Sequence, residues 1–256
     1  LRAGVVLLGL RIALGDLAVL GWQTALMLAA AILTTIIVGV GLAKLLGLQK
    51  RFGALTGGSV AICGASAALA ISTILPKGEN HERDTLLTVI GVTAMSTIAM
   101  VLYPIVAAQL GMNDTEAGIF LGGTIHDVAQ VVGAGYSVSD SAGDMATLTK
   151  LVRVAMLMPV VLIMMIAIKH FYKAKSQADG AQVPKMPMFL VGFIVLMLLN
   201  SFVTLPEVVI ETGTQISRFF LVVSITAIGM KSNLGKLAEV GMLPIVMIVA
   251  ETLWIA

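Results

Sequence analysis

The sequence predicts an all-α membrane protein, a polytopic helical bundle, on three observations. Of its 256 residues, 58% are hydrophobic and only 12% are charged, whereas about a quarter of the residues in a soluble domain are charged. Mean hydropathy is +1.02. The apolar residues recur in runs of about twenty, the length a helix needs to cross a bilayer. The net charge of +2 is small and the basic residues sit in the connections. That pattern belongs to membrane topology and argues against nucleic-acid binding. The single cysteine, Cys63, excludes an internal disulfide. No secretory signal pattern opens the chain. It begins inside "LRAGVVLLGL" and ends inside "LPIVMIVAETLWIA", so a longer parent chain is expected.

Nine hydrophobic segments are predicted, near 1–14, 22–46, 53–75, 84–110, 115–138, 146–168, 187–205, 211–230 and 242–256. Together they make one transmembrane transporter domain over 1–256. Asn113 and Glu116 have the spacing of a capping box at the start of the fifth segment. Pro159 predicts a kink in the sixth. Cytoplasmic loops are enriched in Lys and Arg. Lys44, Lys50 and Arg51, then Lys169, Lys173, Lys175 and Lys185, then Lys231 and Lys236 mark three connections on one, cytoplasmic, side. Nine single crossings place Arg11, Lys77 and Arg83 opposite, among Asp16, Glu79, Glu82, Asp84, Asp140 and Asp144. A re-entrant third segment would break this scheme.

Two internal echoes point to transport. "GLRIALGDLAVLG" (9–21) aligns with "GMKSNLGKLAEVG" (229–241) at a constant offset of 220. The copies lie an odd number of crossings apart, so they point in opposite directions, as inverted-topology repeats of secondary transporters do. "GGSVAICGASAALAIS" (57–72) echoes "GGTIHDVAQVVGAGYS" (122–137). Gly57, Gly58 and Gly64, with Gly122, Gly123 and Gly133, predict Gly-broken crossing helices. Close packing through small residues is the competing reading. On the nine-crossing count these two segments run parallel.

Polar groups at membrane depth are costly, so they face a cavity or a partner. On one continuous helix, His126, Asp127 and Gln130 share an arc of about 120° with Gly123 and Gly133. This reads as a substrate or proton site, or as a hydrogen-bonded knot. Ser59, Cys63 and Ser66 have the spacing of one helical face. Lys150 and Arg153 are three apart and share a face. They read as an anion-binding pair, as side chains snorkelling to the interface, or as a partner for Asp127. Arg218 with Glu211 reads as an internal pair. Glu251, in mid-helix, reads as a proton or cation site. Nucleotide-binding and nucleophile-elbow motifs are absent. No cofactor is expected, and a zinc site from His126, Asp127 and Cys63 is a remote alternative.

At "GGSVAICGASAALA", "TIHDVAQVVGAG" and "TKLVRVAMLMPVV" the sequence resembles the YeiH-type sulfate exporter family of bacterial inner-membrane proteins. "LRAGVVLLGLRI" and "IGMKSNLGKLAEVG" also fit, so the resemblance covers nearly the whole chain. Family members carry further helices at the N-terminus. The resemblance implies a secondary transporter of the bile-acid and arsenite carrier superfamily, not an enzyme. It implies a bilayer-embedded protein exporting sulfate or a related sulfur oxyanion, coupled to protons or sodium. On this reading His126, Asp127 and Gln130 form the binding centre, Lys150 and Arg153 attract the anion, and Asp127 and Glu251 couple the ion. The alternatives are a sodium- or proton-coupled cation antiporter and a metal-dependent membrane enzyme. The sequence leaves homo-oligomerisation open.

Overall fold

The computed structural model describes residues 2–10, 14–76, 80–171, 188–203, 205–231 and 242–256. Those residues form twelve helices: α1 (Arg2–Leu8), α2 (Leu14–Leu45), α3 (Lys50–Ala61), α4 (Ala65–Ile74), α5 (His81–Gln109), α6 (Asp114–Thr124), α7 (Val128–Val138), α8 (Asp140–Ala155), α9 (Leu157–Phe171), α10 (Met188–Phe202), α11 (Glu207–Lys231) and α12 (Met242–Ile255). Among the described residues, Leu20–Leu45, His81–Gln109 and Asp140–Ile168 are long and apolar enough to cross a membrane. They turn large apolar side chains outward, such as Leu33, Ile37, Leu102, Ile105 and Ile163. Polar residues in their middle stretches, such as Thr35, Ser96, Thr149, Lys150 and Arg153, are buried. This is the polarity expected in lipid, where the surroundings are as apolar as the core.

The predicted third and fifth segments are not crossings. Each breaks into two half-length helices, of 12 and 10 residues in α3 and α4 and of 11 and 11 in α6 and α7. At 1.5 Å per residue each half reaches about midway through a hydrocarbon core about 30 Å thick. Collinear halves would span the membrane together, but these fold back. Arg51, near the start of α3, donates through Nη1 to the Pro76 carbonyl at 3.5 Å. Its Nη2 also lies 3.8 Å from Asp84 at the start of α5. A cavity of about 460 Å³ is lined jointly by Gly47, Leu48 and Gln49, by Asn80, Arg83 and Asp84, and by Met242, Leu243 and Pro244. The chain therefore enters α3 and leaves α4 on one face. Ser139, after α7, donates through Oγ to Asp114 at the start of α6, at 2.7 Å. That hairpin also opens and closes on one face.

Because α5 crosses between them, the two hairpins enter from opposite faces. The parallel orientation inferred from counting crossings is thus corrected. Lys50, Arg51 and Arg83 share one face, whereas the count had placed Arg83 across from the other two. Asp114, Glu116 and Asp140 lie on the other. The positive-inside asymmetry sharpens, with the first face cytoplasmic. Residues 232–241 of the longer echo's second copy, Arg11 and Lys77 lie outside the described residues.

Local chemistry sets the ends of these helices. Asn113 and Glu116 form the predicted capping box, with reciprocal bonds of 3.0 Å. Near the predicted Pro159 kink, α8 gives way to α9 at Met156. Proline lacks the N–H that would bond the Ala155 carbonyl, and its ring crowds that oxygen.

The helices pack through glycine. A Cβ on Gly57 would lie 2.9 Å from the Thr35 carbonyl, and one on Gly53 would collide with the Gly39 backbone, so α3 lies tight against α2. Gly122 in α6 abuts the Ala146 backbone of α8 in the same way. Gly58 packs on Ile71 and Gly123 near Leu28. These glycines lie within helices, as the packing reading requires. Gly64 alone of the six singled out occupies a break, at φ 63°, a conformation costly for residues with a Cβ.

Overpacking a tight core costs about 1–3 kcal/mol. Gly53→Ala is therefore expected to lower the thermal unfolding midpoint in detergent. Gly41→Ala, with nothing within 4 Å of its added methyl, is expected to leave the midpoint unchanged or raise it slightly.

Candidate functional site

The two hairpin tips meet inside the bundle. Ile62, Cys63 and Gly64 form the first and Ile125, His126 and Asp127 the second. A Cβ on Gly64 would sit 3.5 Å from the His126 Cβ. Each tip joins the C-terminal end of one half-helix to the N-terminal end of the next. Carbonyls without intrahelical partners and amides without partners therefore converge at depth.

The carbonyls are taken by α8. Lys150 and Arg153 are both fully buried. Lys150 Nζ donates to the Ile62 carbonyl at 2.7 Å and to the Ile125 carbonyl at 2.8 Å, one from each tip. Arg153 Nε donates to Ala61 at 3.0 Å. Its Nη2 reaches Val60 at 3.0 Å and Ala61 again. Its Nη1 reaches Gly123 at 2.6 Å, with longer contacts to Gly122 at 3.3 Å and Ile125 at 3.4 Å. The predicted shared face is real. The fork of Arg153, however, is spent on the ends of α3 and α6 and does not face an open pocket. Neither cation snorkels, and neither forms an ion pair with Asp127. Each cation meets the negative end of a helix dipole, and the carbonyls repay its desolvation.

The amides of the second tip are taken by α5 and by the tip itself. Ser96 Oγ accepts from the backbone N–H of His126 at 3.2 Å and of Asp127 at 3.0 Å. Asp127 is the N-cap of α7, accepting from the Ala129 amide at 2.8 Å. The expected continuous stripe of His126, Asp127 and Gln130 is thus corrected. Residues 125–127 are not helical, and the three side chains diverge to separate partners. Gln130 donates through Nε2 to Thr97 Oγ1 at 2.8 Å, leaving its buried Oε1 unpartnered. His126 Nε2 lies 3.0 Å from Thr252 Oγ1 on α12. The Thr252 proton goes to the Ile248 carbonyl at 2.7 Å. With that proton turned to the Ile248 carbonyl, His126 Nε2 is the donor to Thr252; Nδ1 is buried without a partner.

The expected common face of Ser59, Cys63 and Ser66 is also corrected, because the break lies between them. Ser59 is buried and bonds back to the Leu55 carbonyl. Cys63 is buried in the tip. Ser66 is exposed in the first turn of α4. Gly64, the N-cap of α4, offers no capping side chain. Gly133 is half-buried in α7. Glu251 is fully buried and accepts from Thr56 on α3 at 2.8 Å. Among the described residues, His126, Asp127 and Cys63 do not make a cluster suited to a metal ion. The side chain of Arg218 lies outside the described residues.

Sequence reasoning overlooked Ser96, Thr97, Thr56 and Thr252. A "TAMST" run inside an apolar crossing helix was the available signal for the first two. The threonines bond their own helix carbonyls, so single hydroxyls of this kind look unremarkable in a sequence.

Comparison with known proteins fits this geometry. Residues 1–248 match the family described as Conserved hypothetical protein 698. The chain belongs to the UPF0324 membrane-protein family. The UPF0324 membrane protein CT0845 of Chlorobaculum tepidum is 50% identical over 259 residues, covering 100% of this chain and 71% of that protein. The UPF0324 membrane protein TauZ of Paracoccus denitrificans is 50% identical over 256 residues, covering 100% of this chain and 75% of the other. A third UPF0324 protein, RB0971 of Rhizobium meliloti, is also 50% identical. These UPF0324 relatives agree with the YeiH-type resemblance and with a bacterial membrane location. No solved structure matches the chain.

Removing one partner from a buried charged contact costs about 3–5 kcal/mol. Arg153→Met is expected to cost that much, seen as a lower melting temperature in detergent or loss of folded protein. Arg153→Lys should rescue little of it, because one ammonium cannot replace the separate Nε, Nη1 and Nη2 contacts that the planar fork makes at once. Wild-type melting of Arg153→Lys would show that the fork is dispensable.

Proposed function

We propose that this protein is a secondary transporter for a small anion, sulfate or a related sulfur oxyanion, exported across the bacterial inner membrane. One observation carries the reading. The negative ends of the half-helices are neutralised by Lys150 and Arg153, while the positive end of α4 has no capping side chain at its N-cap Gly64, only the Cys63 thiol toward the Ala67 amide, and carries the exposed Ser66 hydroxyl. A helix N-terminus with free amides favours negative charge. Discontinuous helices meeting at mid-membrane are a recurrent way for transporters to present such ends to substrate. Two buried cations against one half-buried Asp127 add to the positive potential at the tips. Lys150 and Arg153 serve the anion indirectly, by holding the tips and setting that potential. The same geometry weighs against a cation antiporter centred on Asp127, whose carboxylate caps α7.

Labelled sulfate flux into proteoliposomes containing the full-length protein tests this. Proline is tolerated at the first helical position and removes its N–H. Ala65→Pro is expected to remove one amide donor to the anion, worth about 1.5–3 kcal/mol, and so to raise KM about 10- to 100-fold. Ser66→Ala should raise it less. An unchanged KM for Ala65→Pro would move the site away from this helix end. No flux with wild type would reject sulfate as substrate.

A further inference from the structure

Glu251 remains unexplained by an anion site at the tips. Its carboxyl is fully buried, its Oε1 accepts from Thr56 Oγ1 at 2.8 Å, and its Oε2 has no partner. Among the described residues it forms no ion pair. Among the described residues packed around it, α2 presents Gly39 and α3 presents Gly53 and Thr56, while α5 packs on the same helix, α12, at Gly91 against Ile248. None of these is ionisable. His126, on the second hairpin tip, is the titratable group on the remaining side, bonded to the adjacent Thr252. An ionised carboxylate left there, with one hydroxyl donor and no cation, is costly.

The hydrogen-bond geometry accommodates either charge state. Thr56 has one proton and three acceptors in reach, Glu251 at 2.8 Å, the Phe52 carbonyl at 3.1 Å and, more distantly, the Gly53 carbonyl at 3.4 Å. With Glu251 protonated, the acid donates to Thr56 Oγ, and Thr56 donates to Phe52. With Glu251 ionised, Thr56 turns its proton to the carboxylate and abandons Phe52. The heavy atoms of the neighbouring pair allow the same chain, His126 to Thr252 to the Ile248 carbonyl. The packing around the acid is tight. A Cβ on Gly39 would lie 2.6 Å from Glu251 Oε1 and 2.6 Å from the Gly53 carbonyl, so the α2 and α3 backbones close around the acid.

We infer that Glu251 is a proton-loading site, with Thr56 as its hydroxyl switch, and that it couples transport to the proton gradient. Its coupling role rests on the transporter reading above; its protonation does not. Glu251 touches the first hairpin through Thr56, and its neighbour Thr252 touches the second through His126. A change of charge at this one acid is therefore felt at both tips.

Infrared difference spectra of purified full-length protein read the proton directly. Wild type should show a protonated-carboxyl band at neutral pH that Glu251→Gln lacks, and that band should disappear on alkaline titration. Thr56→Val should shift the band while keeping it. In proteoliposomes, Glu251→Gln should keep labelled-sulfate self-exchange and lose the component driven by an imposed pH gradient. Absence of the band, a band that no pH removes, or gradient-driven flux surviving in Glu251→Gln would overturn the proposal. If wild type moves no sulfate, the substrate reading fails and the spectra alone decide the site: a titrating band supports it and any other result rejects it.

Discussion

A helix that stops inside a membrane leaves its last carbonyls without partners, and the rest of this fold follows from how that debt is met. Two such helices, α3 and α6, stop at the same depth from opposite faces. One helix, α8, carries both cations that satisfy them. Lys150 takes a carbonyl from each tip, so a single ammonium fixes the distance between the hairpins. Arg153 gathers the remaining ends with its fork. Without these contacts there is no reason for half-length helices to end at mid-depth, since an unpaired polar group in hydrocarbon costs several kcal/mol.

The asymmetry of that solution shapes the function. Cations cover the negative helix ends, and only one positive end is capped by a carboxylate, Asp127 on α7. The other positive end, at α4, is left to a glycine and an exposed serine. A helix N-terminus without a capping side chain favours negative charge, and the proposed anion site rests on that end of α4. Its surroundings are held by glycine contacts between α2 and α3 and between α6 and α8. Movement of a hairpin is therefore expected to occur as a unit with the helix it packs against.

Composition and run length were enough to read the class of protein, and the cost of burying charge singled out His126, Asp127, Lys150, Arg153 and Glu251. The capping box at Asn113 was legible because its chemistry is local. The hairpins were not, because two half-helices and a tip occupy the same number of apolar residues as one crossing. Misreading both moved the connections near 76–84 and 109–115 to the wrong faces, and the two errors cancelled for the chain beyond. The basic residues at Lys50, Arg51 and Arg83 held the correction, since their shared sign marks a shared face. Partners such as Ser96 and Thr252 stayed hidden because a hydroxyl's role depends on which distant backbone or side chain reaches it. The break at residues 125–127 lacks a glycine altogether, and only the cations of α8 and the hydroxyl of Ser96 explain it.

The central claim is that both hairpins re-enter, from opposite faces. Membrane-impermeant thiol labelling of single cysteines in a Cys63→Ala full-length background tests it most directly. Gln49→Cys and Asn80→Cys flank the first hairpin, and Asn113→Cys and Asp140→Cys flank the second. The fold described here predicts that the first two label from one side of the membrane and the last two from the other. Labelling of Gln49→Cys and Asn80→Cys from opposite sides would mean that residues 50–75 cross the membrane, and would contradict it.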